Sequence, residues 1–247
     1  MGGMRRLPTL LSALLPSLLL GAAPAHAGDS LVMLLDNSAV MPTLRVDRGQ
    51  VVAGINHDLA LLLAERLGLQ PRFLLMPRRR MAPALERGEA DLVCNYLPAW
   101  LPGPFVWSRP FLPSAYWVVT RQDRPAPGFL QALAKQRIGT VRGFAYPELE
   151  AALGGSLLRE DAPNGEASLR MLSLARVDHA VVVQRFLEYQ QRTGGFDTPL
   201  HPPLVVSSYL SQCALSPRSG ITVDRLNQVL SDIVDDGSLE HMLQRYR

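Results

Sequence analysis

The chain of 247 residues contains one lysine, Lys135, and no basic run longer than Arg78-Arg79-Arg80. Without a longer basic stretch interleaved with aromatics, a nucleic-acid partner has no support. There are two cysteines, Cys94 and Cys213, so a framework of several disulfides is excluded. One bridge remains open to them in an oxidising compartment, as does the ordinary alternative of two buried free thiols. The histidines after residue 27, His57, His179, His201 and His241, have no metal-ligand spacing. Nucleophile-elbow, zinc-protease, dithiol, dinucleotide and phosphate-loop patterns are missing as well. Scattered acids such as Glu148, Glu150, Glu160 and Asp161 read as solvated surface rather than an acid/base pair. Neither a metal nor a cofactor is expected, and the expected work is not catalysis.

A single long apolar run occurs, from Leu7 to Ala23, interrupted by Pro8 and Pro16. It follows Arg5-Arg6 and leads to Ala25-His-Ala27, a small-x-small cleavage pattern before Gly28. These features specify a cleaved secretory signal over residues 1–27 rather than a membrane span. No cysteine lies near the cleavage point, so a lipid anchor is not expected and the product should be soluble and exported. Removing the signal leaves 23 basic against 22 acidic residues, a charge of +1, in 220 residues. That length suits one large domain or two of about 100 residues each.

Strand and helix patterns alternate along this remainder, which implies an α/β fold with largely parallel sheets. Leu31 to Leu35 reads as a buried strand ending in Asp36-Asn37, a pair that serves either a turn or a ligand. Leu44 to Val52 reads as a hairpin around Gly49-Gln50. Leu59, Ala60, Leu62, Leu63 and Leu67 form one helical face closed by Gly68. Pro71–Met76 and Ala90–Asn95 read as strands on either side of a helix from Met81 to Arg87 that stops at Gly88. The segment Pro98 to Pro104 is too rich in proline to be regular.

A second α/β set follows the strand Ala115–Thr120. Its expected elements are a helix over Phe129–Gln136, strands at Arg137–Val141 and Ser156–Arg159, and a helix over Tyr146–Leu153. A helix from Gly165 capped by Asn164, the strand Asp178–Val183 and a helix over Phe186–Arg192 complete it. Two short strands, Leu204–Val206 and Ser211–Leu215, then precede helices over Val223–Val234 and Leu239–Tyr246.

Six pieces in register carry a resemblance: Gly54, Asp58-Leu59, Leu67-Gly68, Leu85-Glu-Arg-Gly88, Asp91 and Trp107-Ser-Arg-Pro-Phe111. Their order resembles the bacterial extracellular solute-binding proteins of family 3, the receptors of amino-acid ABC importers. The resemblance implies a two-lobed type II periplasmic-binding-protein fold, each lobe a mainly parallel sheet flanked by helices, joined by a two-strand hinge. The first lobe is expected at residues 28–109 and 208–247, the second at 110–207. It also implies that Cys213 re-enters the first lobe beside Cys94, so that the two can pair. The motif residues themselves are expected to be structural, with Asp58 as a helix cap.

By the same resemblance the ligand-binding residues are Asp36, Asn37, Arg78, Asn95, Tyr96, Trp100, Arg142, Phe144, Tyr146 and Gln184. Two charges usual in amino-acid-binding members are missing. The loop Tyr96–Pro104 has no arginine for an α-carboxylate, and Gln184 stands where an aspartate pairs the α-ammonium. Arg78 and Arg80 are the candidates to replace the first charge, with a solvated helix start as the alternative. Phe144 and Tyr146, with Arg142, would flank an anion at a helix N-terminus.

The expected function is a periplasmic, monomeric receptor that closes on a small polar or anionic solute and delivers it to an ABC-type permease or a membrane sensor. An exported dehydratase of cyclohexadienyl or prephenate-like acids on the same scaffold is the enzyme alternative. A degenerate lobe pair that makes only protein contacts is the third.

Overall fold

Apolar runs without a polar face become the inner strands of this fold. The computed structural model describes residues 1–2 and 30–246, so the expected signal cleavage point lies outside the described residues. In chain order β1 (Ser30–Asp36) is followed by a hairpin of β2 (Arg45–Asp47) and β3 (Gln50–Ala53), then α1 (Ile55–Leu67), β4 (Gln70–Met76) and α2 (Arg78–Glu86). β5 (Leu92–Tyr96), β6 (Val106–Trp107) and β7 (Leu112–Thr120) follow. Next come β8 (Arg137–Val141), α3 (Pro147–Leu153), β9 (Leu158–Ala162), α4 (Gly165–Ser173), β10 (His179–Val183) and α5 (Gln184–Arg192). The chain ends with β11 (Leu204–Leu215), α6 (Val223–Asp235) and α7 (Ser238–Gln244).

The strands run in the order β4-β1-β5-β11-β7-β10-β8-β9, with β6 also on β11. At one end β1 pairs with β4 and β5 in parallel, and at the other β8 pairs with β10 and β9 in parallel. Between these groups the pairing is antiparallel, through β7 and β11. β11 pairs with β7 from Leu204 to Ser211 and with β5 from Gln212 to Leu215. One strand therefore passes from one half of the molecule to the other. The core divides in the same way. Two buried clusters gather around β1, β5, α1, α2, α6 and α7, and two more around β7, β8, β10, α3, α4 and α5.

Gly54 initiates α1 at φ 117°, and a Cβ there would lie 2.6 Å from the Leu44 Cα and the Thr43 carbonyl oxygen. A side chain has no space at that junction. Gly68 closes the same helix in the left-handed region, at φ 72°. Asp91 holds three segments together: its Oδ2 accepts the Val32 N–H at 2.8 Å, its Oδ1 the Ser219 hydroxyl at 3.0 Å, and its carbonyl the Ser216 N–H at 2.8 Å. Cys94 and Cys213 are register partners across β5 and β11 and are joined as a disulfide.

Four local expectations differ from the structure. Phe129–Gln136 is not an α-helix but a single 3-10 turn, Leu130–Leu133. Only Leu133 of that turn is buried, Phe129 is 61% exposed, and Lys135 takes φ 61°, so the segment has no apolar face to hold a longer helix. The short strand expected at Ser156–Arg159 lies later, at Leu158–Ala162, because Gly154–Ser156 forms a 3-10 turn first. The two strands expected near 204 and 211 are one twelve-residue strand. Asp58 caps nothing: Gly54 is the N-cap of α1, without a side-chain bond. Asp58 Oδ2 instead accepts the Tyr246 hydroxyl at 2.6 Å and faces Arg245 at 2.9 Å.

Candidate functional site

The carboxyl ends of β1 and β5 and the start of α2 face the β8–α3 turn and the end of β10 across a partly open cavity of about 130 Å³. Asp36 ends β1 and is 7% exposed. Its Oδ1 accepts both the Ser38 N–H at 2.9 Å and the Ser38 hydroxyl at 2.7 Å, which fixes the carboxylate plane. Its Oδ2 is buried and has no hydrogen-bond donor among the described residues. Asn56, in the first turn of α1, also lines the cavity, and its buried Oδ1 has no partner among the described residues.

Arg78 opens α2, after a proline that sets the helix start. Its Nη1 donates to the Tyr96 hydroxyl at 3.1 Å and stands 3.8 Å from Asp36 Oδ2, longer than a charge-assisted hydrogen bond. The guanidinium lies 4.8 Å from the Tyr96 ring centroid and 4.2 Å from that of Phe144. Those are cation–π distances to both faces of the cleft.

Asn95 shows how β5 is shaped for the site. Tyr96 and Cys94 pair with the consecutive residues Gln212 and Cys213, so Asn95 is the extra residue of a β-bulge. It adopts φ 65°, a left-handed conformation that asparagine tolerates better than most residues. The bulge brings Asn95 to the cavity, where its Oδ1 accepts the Ser211 hydroxyl at 3.1 Å.

The remaining wall is aromatic. Trp100 meets Tyr209 edge-on at 4.9 Å and Tyr116 at 5.5 Å, and Tyr116 meets Tyr146 at 5.3 Å. The Tyr146 hydroxyl accepts the Val141 N–H at 3.0 Å, which holds the ring under the β8–α3 turn. Burial pushes the hydroxyls of Tyr96, Tyr146 and Tyr209 up to about 12 and that of Tyr116 well above its ordinary range. All four are neutral hydrogen-bonding groups at physiological pH.

Seven of the ten expected site residues line this cavity: Asp36, Arg78, Asn95, Tyr96, Trp100, Phe144 and Tyr146. Three do not. Asn37 is exposed, its N–H spent on the Met76 carbonyl at 3.1 Å. Arg142 is exposed beyond the cavity wall, its N–H bonded to the Ala162 carbonyl. Gln184 begins α5 outside the cavity and donates to Glu188 at 2.8 Å. At the start of α3, the expected anion site, one backbone donor is taken by the chain itself, the Tyr146 N–H donating to Glu150 Oε1 at 3.3 Å. Arg80 is exposed.

Sequence reasoning missed Asn56, Tyr116 and Tyr209. Asn56 carries a readable signal, a polar residue in register with the buried Ala60 and Leu63. The two tyrosines have none, because alternate aromatic residues in a strand look the same whether they face a core or a cleft.

No protein-family model matches the chain, and no curated protein matches it in sequence. Solved structures do match. An ancestral amino-acid-binding protein, described as a precursor of cyclohexadienyl dehydratase, superposes with a TM-score of 0.72 at 17% identity, over 88% of this chain and 95% of that one. The substrate-binding protein of an amino-acid ABC transporter gives 0.69 at 19% identity, over 88% and 98%. A histidine kinase sensor domain similar to periplasmic binding proteins gives 0.71 at 20% identity, over 88% and 95%. The chain therefore has the two-lobed type II periplasmic-binding-protein fold expected from its sequence motifs.

Proposed function

We propose that this protein is a periplasmic solute receptor. Residues 28–109 with 208–247 form one lobe and 110–207 the other, and the two close on a small polar solute that is then passed to an ABC-type permease or a membrane sensor. The observation that carries this reading is the reach of Arg78, on the first lobe, to the Phe144 ring, on the second, beside a cavity lined from both sides. Such a contact belongs to a closed cleft, and hinge closure around ligand is the way two-lobed receptors sequester solutes. Neighbours described as importer and sensor components support both destinations. Among the described residues no helix is long and apolar enough to cross a membrane.

Small-angle scattering tests the closure. Protein refolded to remove carried solute is measured alone and with a mixture of amino acids, amines, dicarboxylates and sugar acids. The radius of gyration falls in the presence of the mixture; an unchanged profile would contradict the receptor reading. The dehydratase alternative has one specific observation behind it, the buried acid Asp36 in the cleft of a fold shared with a dehydratase precursor. Incubation with prephenate and ultraviolet detection of phenylpyruvate decides it, and the receptor reading expects no product.

A further inference from the structure

We infer that the solute is a small amine with an apolar body, its ammonium group seated on Asp36 and Asn56, an inference that rests on the receptor reading above. Two residues on the cavity carry a buried acceptor that no donor among the described residues satisfies, Asp36 Oδ2 and Asn56 Oδ1. Each belongs to a buried residue, Asp36 and Asn56 both being 7% exposed. Buried polar atoms in folded proteins are nearly always paired, so two orphans of the same sign on one cavity mark the place of a group rich in donors. An ammonium has three N–H donors and accepts nothing. The Ser38 bonds to Oδ1 hold the carboxylate plane, leaving Oδ2 as the oxygen still to be paired.

The rest of the wall fits the remainder of such a molecule. Trp100, Tyr116, Phe144 and Phe186 contribute ring surface, with Val181 and Val183 beside them. Ring faces accommodate apolar groups and attract a nearby cation. Among the described residues Arg78 is the one lysine or arginine on the cavity, and it is engaged by the Tyr96 hydroxyl and by two ring faces. A ligand carboxylate would have to take Arg78 away from those partners, whereas an amine leaves them in place and competes only for the longer, 3.8 Å approach of Arg78 to Asp36 Oδ2. The volume of about 130 Å³ suits a short chain or a single ring.

Calorimetric titration with 2-phenylethylamine, butylamine, phenylalanine and 3-phenylpropionate separates the possibilities, run on the wild-type protein, Asp36→Asn and Asn56→Ala. An amine binds the wild type, Asp36→Asn weakens it about 100-fold or more, and Asn56→Ala about tenfold. Circular dichroism checks that each variant is folded, and Asn56→Ala carries the test alone if Asp36→Asn is not. Binding of phenylalanine or 3-phenylpropionate with neither amine bound overturns the amine inference and leaves the receptor standing. Amine binding unaffected by both variants also overturns it. No binding by these four or by the wider solute mixture overturns both readings.

Discussion

The Arg78 guanidinium stands 4.2 Å from the centroid of the Phe144 ring and 4.8 Å from that of Tyr96. A single side chain thus touches rings from both sides of the cleft, and its Tyr96 hydrogen bond at 3.1 Å fixes its direction. Arg78→Met keeps much of the packing and removes the charge. Cation–π contacts contribute about 0.5–2 kcal/mol each and a hydrogen bond to a charged group about 1.5–3 kcal/mol. The variant should lose about 1–4 kcal/mol in urea unfolding, and Phe144→Leu should lose less, about 1 kcal/mol. Equal midpoints for wild type and Arg78→Met would show that the contact contributes nothing.

The C-terminus is fastened to the first helix by Tyr246. Its hydroxyl donates to Asp58 Oδ2 at 2.6 Å and accepts the buried Gly54 N–H at 3.1 Å. Tyr246→Phe leaves that N–H without a partner, which costs about 1–3 kcal/mol. Burial, then the bond to Asp58, raises this hydroxyl to about 12. A raised tyrosine contributes stability that is complete below the unfolded value of about 10 and is lost as pH rises through the folded one. The difference between wild type and Tyr246→Phe should therefore shrink between about pH 10 and 12. A constant difference over that window would refute the assignment.

The Cys94–Cys213 disulfide closes a loop with a sequence separation of 119. Loop closure of that length is worth about 4–5 kcal/mol in the chain-entropy model. Unfolding of the oxidised protein should require correspondingly more urea than that of the reduced protein. Two free thiols in denatured, unreduced protein would remove the bridge from the account.

His179 provides an acid-side prediction. Its Nδ1 lies 2.8 Å from the Thr120 hydroxyl between β7 and β10, and burial lowers its pKa from 6.5 against the opposing charge of Asp178. The unfolded imidazole then binds a proton at a higher pH than the folded one. The contribution of neutral His179 is complete above about pH 6.5 and is lost as pH falls toward the folded value. Between about pH 7.5 and 5 the wild type should lose more stability than His179→Gln. Equal losses would mean that His179 titrates alike in both states.

Where residues obey a local rule, the fold is legible before any coordinates. Gly54 and Gly68 bound α1, the first because a Cβ would strike Leu44 and Thr43, the second because its left-handed backbone favours glycine. The buried runs of β1 and β10 lack a polar face and therefore read as inner strands. The site is less legible. Asn95 reaches the cavity through a bulge set by the register of β5 on β11, a pairing between segments more than a hundred residues apart. In the sequence Tyr209 falls between two expected short strands, and only the continuous β11 carries it to the cavity. Arg142 and Gln184 follow only from the pattern of a family two of whose usual ligand-binding charges this chain lacks, and each lies outside the cavity.

The central claim is that the cleft binds a solute, and a thermal-shift screen of refolded, solute-free protein tests it most directly. Panels of amines, amino acids, dicarboxylates, sugar acids and phosphate esters are compared at equal concentration. A ligand at 100 times its dissociation constant adds about 2.7 kcal/mol, which for a chain of this size raises Tm by about 5–10 °C. The account predicts such a rise for one chemical class, abolished by Asp36→Asn. A folded protein whose Tm is unmoved by every class would contradict it.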